Sequence, residues 1–296
     1  MTSIRFPRPL AFVFSGGLAR AAGQIGMCEV ALELGITPDL AVGTSTGAIN
    51  AAMLAKDPAN FHIAARALWH GVASDKALSS TWRSTFRGLA GKGSNRTQTM
   101  LRKHLDAAFG DVTREQLAFP LIAVSTDLES GHSSTTQGDT IVNTLLSSAA
   151  FPIIMPPVSV GDQLLIDGSV VAGVPVSQAV AAGARSVIVF DTGASAVSES
   201  EIDEIGWYEV LALAFTHLVR GQADHDLLLA ARDVPVVTIS MDQGSPFDLR
   251  TAPEIIHHGR DAASGVLLAL SPRHGKDFRT VNKPGSYGNH NPTSDS

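Results

Sequence analysis

Three short segments carry residues whose types and spacing could do chemistry. Gly43-Thr44-Ser45-Thr46-Gly47 fits the pattern G-x-S-x-G. Between a strand and a helix, such a stretch turns sharply and projects the serine hydroxyl outward, while Gly43 and Gly47 relieve crowding of a strained backbone. At a helix N-terminus the serine would also feel a partial positive charge that favours a developing anion. The same residues would serve as a helix-capping serine in a glycine-rich turn. The second segment is Ser15-Gly16-Gly17-Leu18-Ala19-Arg20. If it too joins a strand to a helix, the successive N–H groups of Gly16 to Arg20 converge on one point and form an anion nest. Its occupant would be a bound phosphate or a transient oxyanion. The stretch has neither the G-x-G-x-x-G spacing of dinucleotide sites nor a P-loop lysine, and Arg20 is either a brace for the turn or an anion contact. The third segment is Asp167-Gly168-Ser169, directly after Leu164-Leu165-Ile166. An aspartate at a strand end lies where α/β active sites collect, although an Asx turn is the commoner role of Asp-Gly.

The elements around these segments repeat a strand–turn–helix rhythm. Leu10 to Phe14 is a short continuous apolar run, the pattern of a central strand, and Ala19 to Leu34 reads as a helix stopped by Gly35. Asp39 to Val42 is a second strand, and Ala48 to Lys56 a helix ended by Asp57-Pro58. Two such units imply a parallel sheet with crossover helices. The rhythm resumes with a strand at Phe119–Ser125 and a helix at Thr140–Ala150. Pro152, Pro156 and Pro157 then predict an extended segment. Strands follow at Gln163–Ile166, Ser186–Phe190 and Val234–Ile239, and helices at 204–231 and Pro253–Leu270. The expected architecture is a three-layer α/β/α fold with a mainly parallel central sheet, one domain over 5–271, and a disordered polar tail at 272–296.

Residues 60–115 break the rhythm, with nine Lys or Arg against four Asp or Glu, and with Trp69, Trp82 and a Gly91-Lys-Gly-Ser94 loop. They read as helices inserted beside the sheet. Three roles are open for this insert. It is a solvated helical face, a lid or peripheral membrane element with Trp69, Trp82 and Phe86 at the interface, or a protein-binding surface. Arg83 and Arg87 would share a helix face in either of the last two.

Composition narrows the classes. The 296 residues are 44% hydrophobic and only 17% charged, enough apolar material for a large core. A net charge of −6 argues against a general nucleic-acid binder. The lone Cys28 excludes an internal disulfide framework, and the ten histidines show no metal-ligand spacing. There is no apolar run of transmembrane length. The five apolar residues from Leu10 are too short for a secretory h-region, so the reading is a cytoplasmic protein without a Sec signal.

Taken in order, SGG-x-A-R, G-T-S-T-G and D-G resemble the patatin-like phospholipases. The resemblance extends to Leu121-Ile-Ala-Val-Ser-Thr-Asp-Leu-Glu-Ser-Gly131, to Ser147-Ser-Ala-Ala-Phe-Pro-Ile-Ile-Met-Pro-Pro-Val158 and to Asp167 through Val176. It implies a patatin-like fold and a Ser–Asp dyad. Ser45 would attack an acyl ester and Asp167 would take its proton. Amides around Gly17, Leu18 and Ala19 would hold the oxyanion, a contribution worth about 10²–10³ in rate. The implied activity is hydrolysis of lipid esters, of phospholipase A or lysophospholipase type, through an acyl-Ser45 and with no metal or organic cofactor. Acyl transfer by the same dyad, or lipid or protein binding without turnover, are the alternatives. An ordinary aspartate, with a pKa near about 3.9, is a weak base for a hydroxyl, so the site must raise its basicity. The chain departs from the family pattern at Leu18 and Ala21, where glycines are usual, and at Ser169 and Gly173, where glycine and asparagine are usual. Leu18 is expected to resist a positive φ and to narrow the site. A rival triad of Ser45, Asp167 and either His257 or His258 has the chain order of α/β-hydrolases. Only one strand precedes the elbow strand, however, too few for that fold.

Overall fold

The computed structural model describes residues 5–75, 94–193 and 207–270, apart from 137, 139, 153, 242 and 245–247. Trp82, Arg83, Phe86, Arg87, residues 91–93 of the glycine-serine loop and the tail at 272–296 lie outside the described residues.

Strand β1 (Leu10–Phe14) is apolar and buried at all five positions because both its edges and both its faces are covered. It pairs in parallel with β2 (Leu40–Thr44) on one side and β7 (Ser186–Asp191) on the other. Successive side chains then enter different cores. Phe12 and Phe14 pack with Phe190 at ring-centroid separations of 5.0 and 4.9 Å. Ala11 and Val13 join Val42, Val187 and Val189 on the opposite face.

The remaining strands are β3 (Leu121–Asp127), β4 (Ser133–Ser134), β5 (Val158–Val160), β6 (Gln163–Asp167) and β8 (Val236–Ser240). The sheet runs β5–β6–β3–β2–β1–β7–β8, with β4 also beside β3. From β3 to β8 it is parallel, whereas β4, β6 and β5 are antiparallel additions at the β3 edge.

Nine α-helices are described: α1 (Ala22–Glu33), α2 (Thr46–Lys56), α3 (Phe61–Ser74), α4 (Ser94–Phe109), α5 (Ile141–Ser148), α6 (Ser169–Ala172), α7 (Val176–Ala181), α8 (Trp207–Asp233) and α9 (Ala252–Ala269). The Phe12 face is covered by α1 to α5 and α9, and the Val13 face by α7 and α8. The result is helices on both sides of a mostly parallel sheet. From β1 the chain first builds β2 and β3 on one side and later returns to β7 and β8 on the other. That reversal falls between β1 and β7, so the switch point lies at the C-terminal end of β1, where ligands of such sheets bind.

The structure differs from the sequence reading at two places. The proline segment is not uniformly extended, since the N–H groups of Ile154 and Met155 both turn back onto the Phe151 carbonyl. In addition, the strand ending at Asp167 is one arm of an antiparallel β5–β6 hairpin, because the turn at Gly161, at φ 58°, brings it back beside β5 rather than into a crossover.

Candidate functional site

The turn between β2 and α2 is a single residue, Ser45, at φ 57° and ψ −132°. A non-glycine residue in this region costs about 1–3 kcal/mol and persists only where its surroundings impose it. Here they do. A Cβ on Gly43 would meet the Ala48 Cα at 2.6 Å, and one on Gly47 would strike the main chain of Phe14 and Ser15, so α2 starts hard against β1 and β2. The Ser45 N–H donates to Ser148 Oγ at 3.0 Å, and that hydroxyl donates to the Val124 carbonyl at 2.6 Å. The Ser45 hydroxyl makes no capping bond to the helix it precedes. The backbone strain therefore does not serve a cap; it presents the hydroxyl.

Asp167 ends β6 opposite Ser125 of β3 and is completely buried. The end of α5 that holds Ser45 also holds this residue: the Asp167 N–H donates to the Ala150 carbonyl at 3.0 Å and the Gly168 N–H to the Ser148 carbonyl at 3.3 Å. Thr126 Oγ1 secures the Asp167 carbonyl at 2.9 Å. One carboxylate oxygen, Oδ1, accepts from the Ser169 N–H at 2.8 Å and from Ser169 Oγ at 2.6 Å. The other, Oδ2, is buried without a regular hydrogen-bond partner. Burial pushes the carboxyl up to about 6, against the opposing pull of the Ser169 hydroxyl, the Ser45 hydroxyl and the Ser169 N–H. The Asx turn considered from sequence is present, and it leaves Oδ2 without a bond from Ser169. Ser45 and Asp167 are thus brought together.

The loop after β1 divides its amides. Gly16 donates to the Gly173 carbonyl at 2.9 Å and Arg20 to the Gly17 carbonyl at 3.1 Å. Both N–H groups are therefore engaged in structure. The N–H groups of Gly17, Leu18 and Ala19 have no acceptor among the described residues. Arg20 is buried, with its guanidinium on the carbonyls of Thr192 and Met241, so the arginine braces the turn. Contrary to the sequence expectation, Leu18 adopts a positive φ of 53°. Its side chain packs on Ala149, Ile154 and Met155, and that burial offsets a left-handed cost of about 1–2 kcal/mol.

A buried amide chain supports this loop. Gln24 Nε2 donates to the carbonyls of Ser15 and Phe190 at 2.7 and 3.0 Å. Asn50 Nδ2 donates to Gln24 Oε1 at 2.9 Å and to the Ala21 carbonyl at 2.8 Å, and Trp69 Nε1 donates to Asn50 Oδ1 at 2.9 Å. Trp69 is 5% exposed, which removes it from any membrane interface.

Ser45 and Leu18 line a narrow pocket with a free interior of about 40 Å³. Its walls are almost wholly apolar. Ile49 comes from α2, Leu68 and Trp69 from α3, Leu101 from α4, and Phe151 and Met155 from the proline segment. The helices of the 60–115 insert therefore form one side of the cavity. His257 and His258 point elsewhere: they lie on α9, 75% and 37% exposed, beside Asp261 and Glu254 on the same helix. No group of three His, Cys, Asp or Glu among the described residues is arranged to hold a metal ion.

Comparison with known proteins shows the family. The Patatin-like phospholipase family profile matches residues 12–180, more than half of the chain and a span that contains all three segments. The chain belongs to the patatin-like phospholipase family. Among patatin-like relatives, "Patatin-like phospholipase domain-containing protein 7" of Rattus norvegicus is 26% identical over 69% of this chain and 15% of its own length. An uncharacterized NTE family protein of Mycobacterium tuberculosis is 29% identical over 57% of this chain and 27% of its own. The chain thus matches well under a third of these relatives' lengths. Among solved structures, VipD from Legionella pneumophila aligns over 89% of this chain and 67% of its own at a TM-score of 0.43 and 13% identity.

Three supporting residues escaped the sequence reading. Ser148 lay inside a stretch noted only for its resemblance. Gln24 and Asn50 carried a usable signal, each being a lone amide in a helix of small and apolar residues. No helix among the described residues is long and apolar enough to cross a membrane.

Proposed function

We propose that this patatin-like chain hydrolyses lipid acyl esters, in the manner of a phospholipase A or lysophospholipase, through a Ser45–Asp167 dyad. The observation that carries the reading is a strained Ser45, not capping its helix, whose hydroxyl acts on a buried aspartate beside an apolar pocket. The apolar lining suits an acyl chain, which the hydrophobic effect would hold at about 0.8 kcal/mol per buried methylene.

In this reading Ser45 Oγ attacks the ester carbonyl while Asp167 Oδ2 accepts its proton. The amides of Gly17, Leu18 and Ala19 receive the charge that develops on the carbonyl oxygen, and Gly16 and Arg20 hold the loop rather than the oxyanion. Collapse expels the alcohol, which takes the proton from Asp167. Water then attacks the acyl-Ser45 ester with Asp167 again as base, releasing the fatty acid and restoring the serine. A carboxyl near pH 6 suits both proton transfers better than an ordinary aspartate, because it accepts at neutral pH without being too weak a base.

A cytoplasmic site of action and a single domain over 5–271 belong to the same proposal. Contact with an anionic lipid surface through 60–115 would fall to exposed cations of α4 such as Arg96 and Lys103, since Arg66 is paired with Glu29. The test is labelling with an alkyl fluorophosphonate followed by peptide mapping, with hydrolysis of a phospholipid and lysophospholipid panel. An adduct on Ser45, absent in Ser45→Ala and strongly slowed in Asp167→Asn, is expected. Failure to label under conditions that label a control serine hydrolase would refute the dyad.

A further inference from the structure

We propose that Ser169 is a positioning residue of the dyad, holding the Asp167 carboxylate so that Oδ2 alone is presented as the proton acceptor. The inference rests on the Ser45–Asp167 reading and deepens it.

Both donors of Ser169 fall on the same oxygen. Its N–H reaches Asp167 Oδ1 at 2.8 Å and its hydroxyl reaches it at 2.6 Å, the length of a charge-assisted O–H···O⁻ bond. A carboxylate has about four lone-pair sites. The two on Oδ1 are taken and those on Oδ2 have no regular partner. Two bonds to one oxygen also remove the freedom of the carboxyl to rotate, so the buried oxygen left over is always the same one. A buried acceptor without a regular bond is costly to a fold, and the Ser45 hydroxyl, which already acts on this carboxyl, is the donor the site offers for it.

The arrangement depends on this chain's own residue. With glycine at 169, the usual residue in the motif, the backbone N–H bond would remain and the hydroxyl bond would be lost. The side chain is 8% exposed and sits close to the nucleophile: a Cβ placed on Gly16 would lie 3.4 Å from Ser45 Cβ and 3.5 Å from Ser169 Cβ. The groups that face Asp167 are neutral. Ser125 stands opposite it on β3, Thr126 holds its main-chain carbonyl, Ser148 holds the next amide, Ser45 acts on the carboxyl, and no charged side chain does. A hydroxyl that donates to the ionised form is thus one of the few means of keeping a fully buried aspartate ionised at neutral pH.

The experiment compares the full chain with Ser169→Ala, Ser169→Gly and Ser169→Thr. The first readout is the pH dependence of Ser45 labelling by a fluorophosphonate and of p-nitrophenyl butyrate hydrolysis. The second is a ¹³C NMR titration of the Asp167 carboxyl, assigned by its loss in Asp167→Asn, which requires no turnover. In wild type the acid limb and the carboxyl titration both fall near pH 6. Removing the hydroxyl, by Ala or by Gly, is expected to move both upward by about one pH unit and to lower the plateau rate, and Ser169→Thr to restore them. An unchanged titration in both hydroxyl-free variants, even with a lower rate, would reduce Ser169 to a packing role and overturn the proposal. If wild type neither labels nor hydrolyses while the titration shifts as expected, the hydrolase reading falls and the positioning of Asp167 stands. Loss of folding in Ser169→Ala leaves Ser169→Gly to decide.

Discussion

Replacing Asp167 by asparagine is expected to destroy the activity and stabilise the protein, and the stabilisation has a pH signature. In the folded chain burial raises the carboxyl from 3.8 to about 6. Between those values the folded state binds a proton that the unfolded state has released. The contribution of this group to stability is therefore complete below pH 3.8 and is lost as pH rises through 6. Over 2.2 pH units at 1.36 kcal/mol each, the whole loss is about 3 kcal/mol. About 1 kcal/mol of it has gone by pH 4.5, which leaves about 2 kcal/mol between pH 4.5 and 7.5. Asparagine keeps an oxygen for the two Ser169 donors and has no charge to bury. The difference in stability between Asp167→Asn and wild type should thus grow in favour of the variant by about 2 kcal/mol over that range and level off above pH 7. In thermal midpoints this is about 3 °C for a chain of 296 residues. The assay is thermal unfolding of both proteins across the series, beside ester hydrolysis, which should fall by about 10²–10⁴ with loss of the general base. A stability difference that does not change with pH would refute the reasoning, because a neutral or solvated carboxyl in the native state would then be the correct description.

Other perturbations follow from the same geometry. Ser45→Gly should abolish labelling and raise the thermal midpoint above that of Ser45→Ala, since only glycine relieves the φ of 57°, by about 1–3 kcal/mol. Leu18→Gly releases a left-handed leucine and removes its side chain from the pocket, so stability should change little while an ester panel shifts toward bulkier acyl groups. Asn50→Leu strands Trp69 Nε1, Gln24 Oε1 and the Ala21 carbonyl, and a denaturant midpoint should report a loss of about 2–4 kcal/mol.

The parts legible in sequence were those written in local pattern. The unbroken apolar run of Leu10 to Phe14 could only be a central strand, and small residues on either side of Ser45 marked a turn too tight for side chains. Three segments far apart in the chain could be joined into one site because their order resembles a known family. What stayed hidden depended on tertiary contacts. Leucine at 18 argued against a positive φ, yet packing on Ile154 and Met155 overrode the local preference. No pattern in residues 60–115 separated a buried Trp69 from one at a membrane interface, because its single hydrogen bond goes to an asparagine nineteen positions away. The division of the glycine loop into engaged and open amides turned on Gly173, whose carbonyl claims Gly16 from more than 150 residues downstream.

The amide chain from Trp69 through Asn50 and Gln24 to the Ser15 and Phe190 carbonyls has a consequence for how a substrate gets in. It stitches α3 to the turn that follows β1, so swinging α3 outward would strand buried amides on both sides of the gap. The helix is a fixed jamb of the doorway. An acyl chain must therefore enter past parts of the rim that are not sewn into the core, and whatever narrows or widens that entrance will leave the spacing between nucleophile and glycine loop undisturbed.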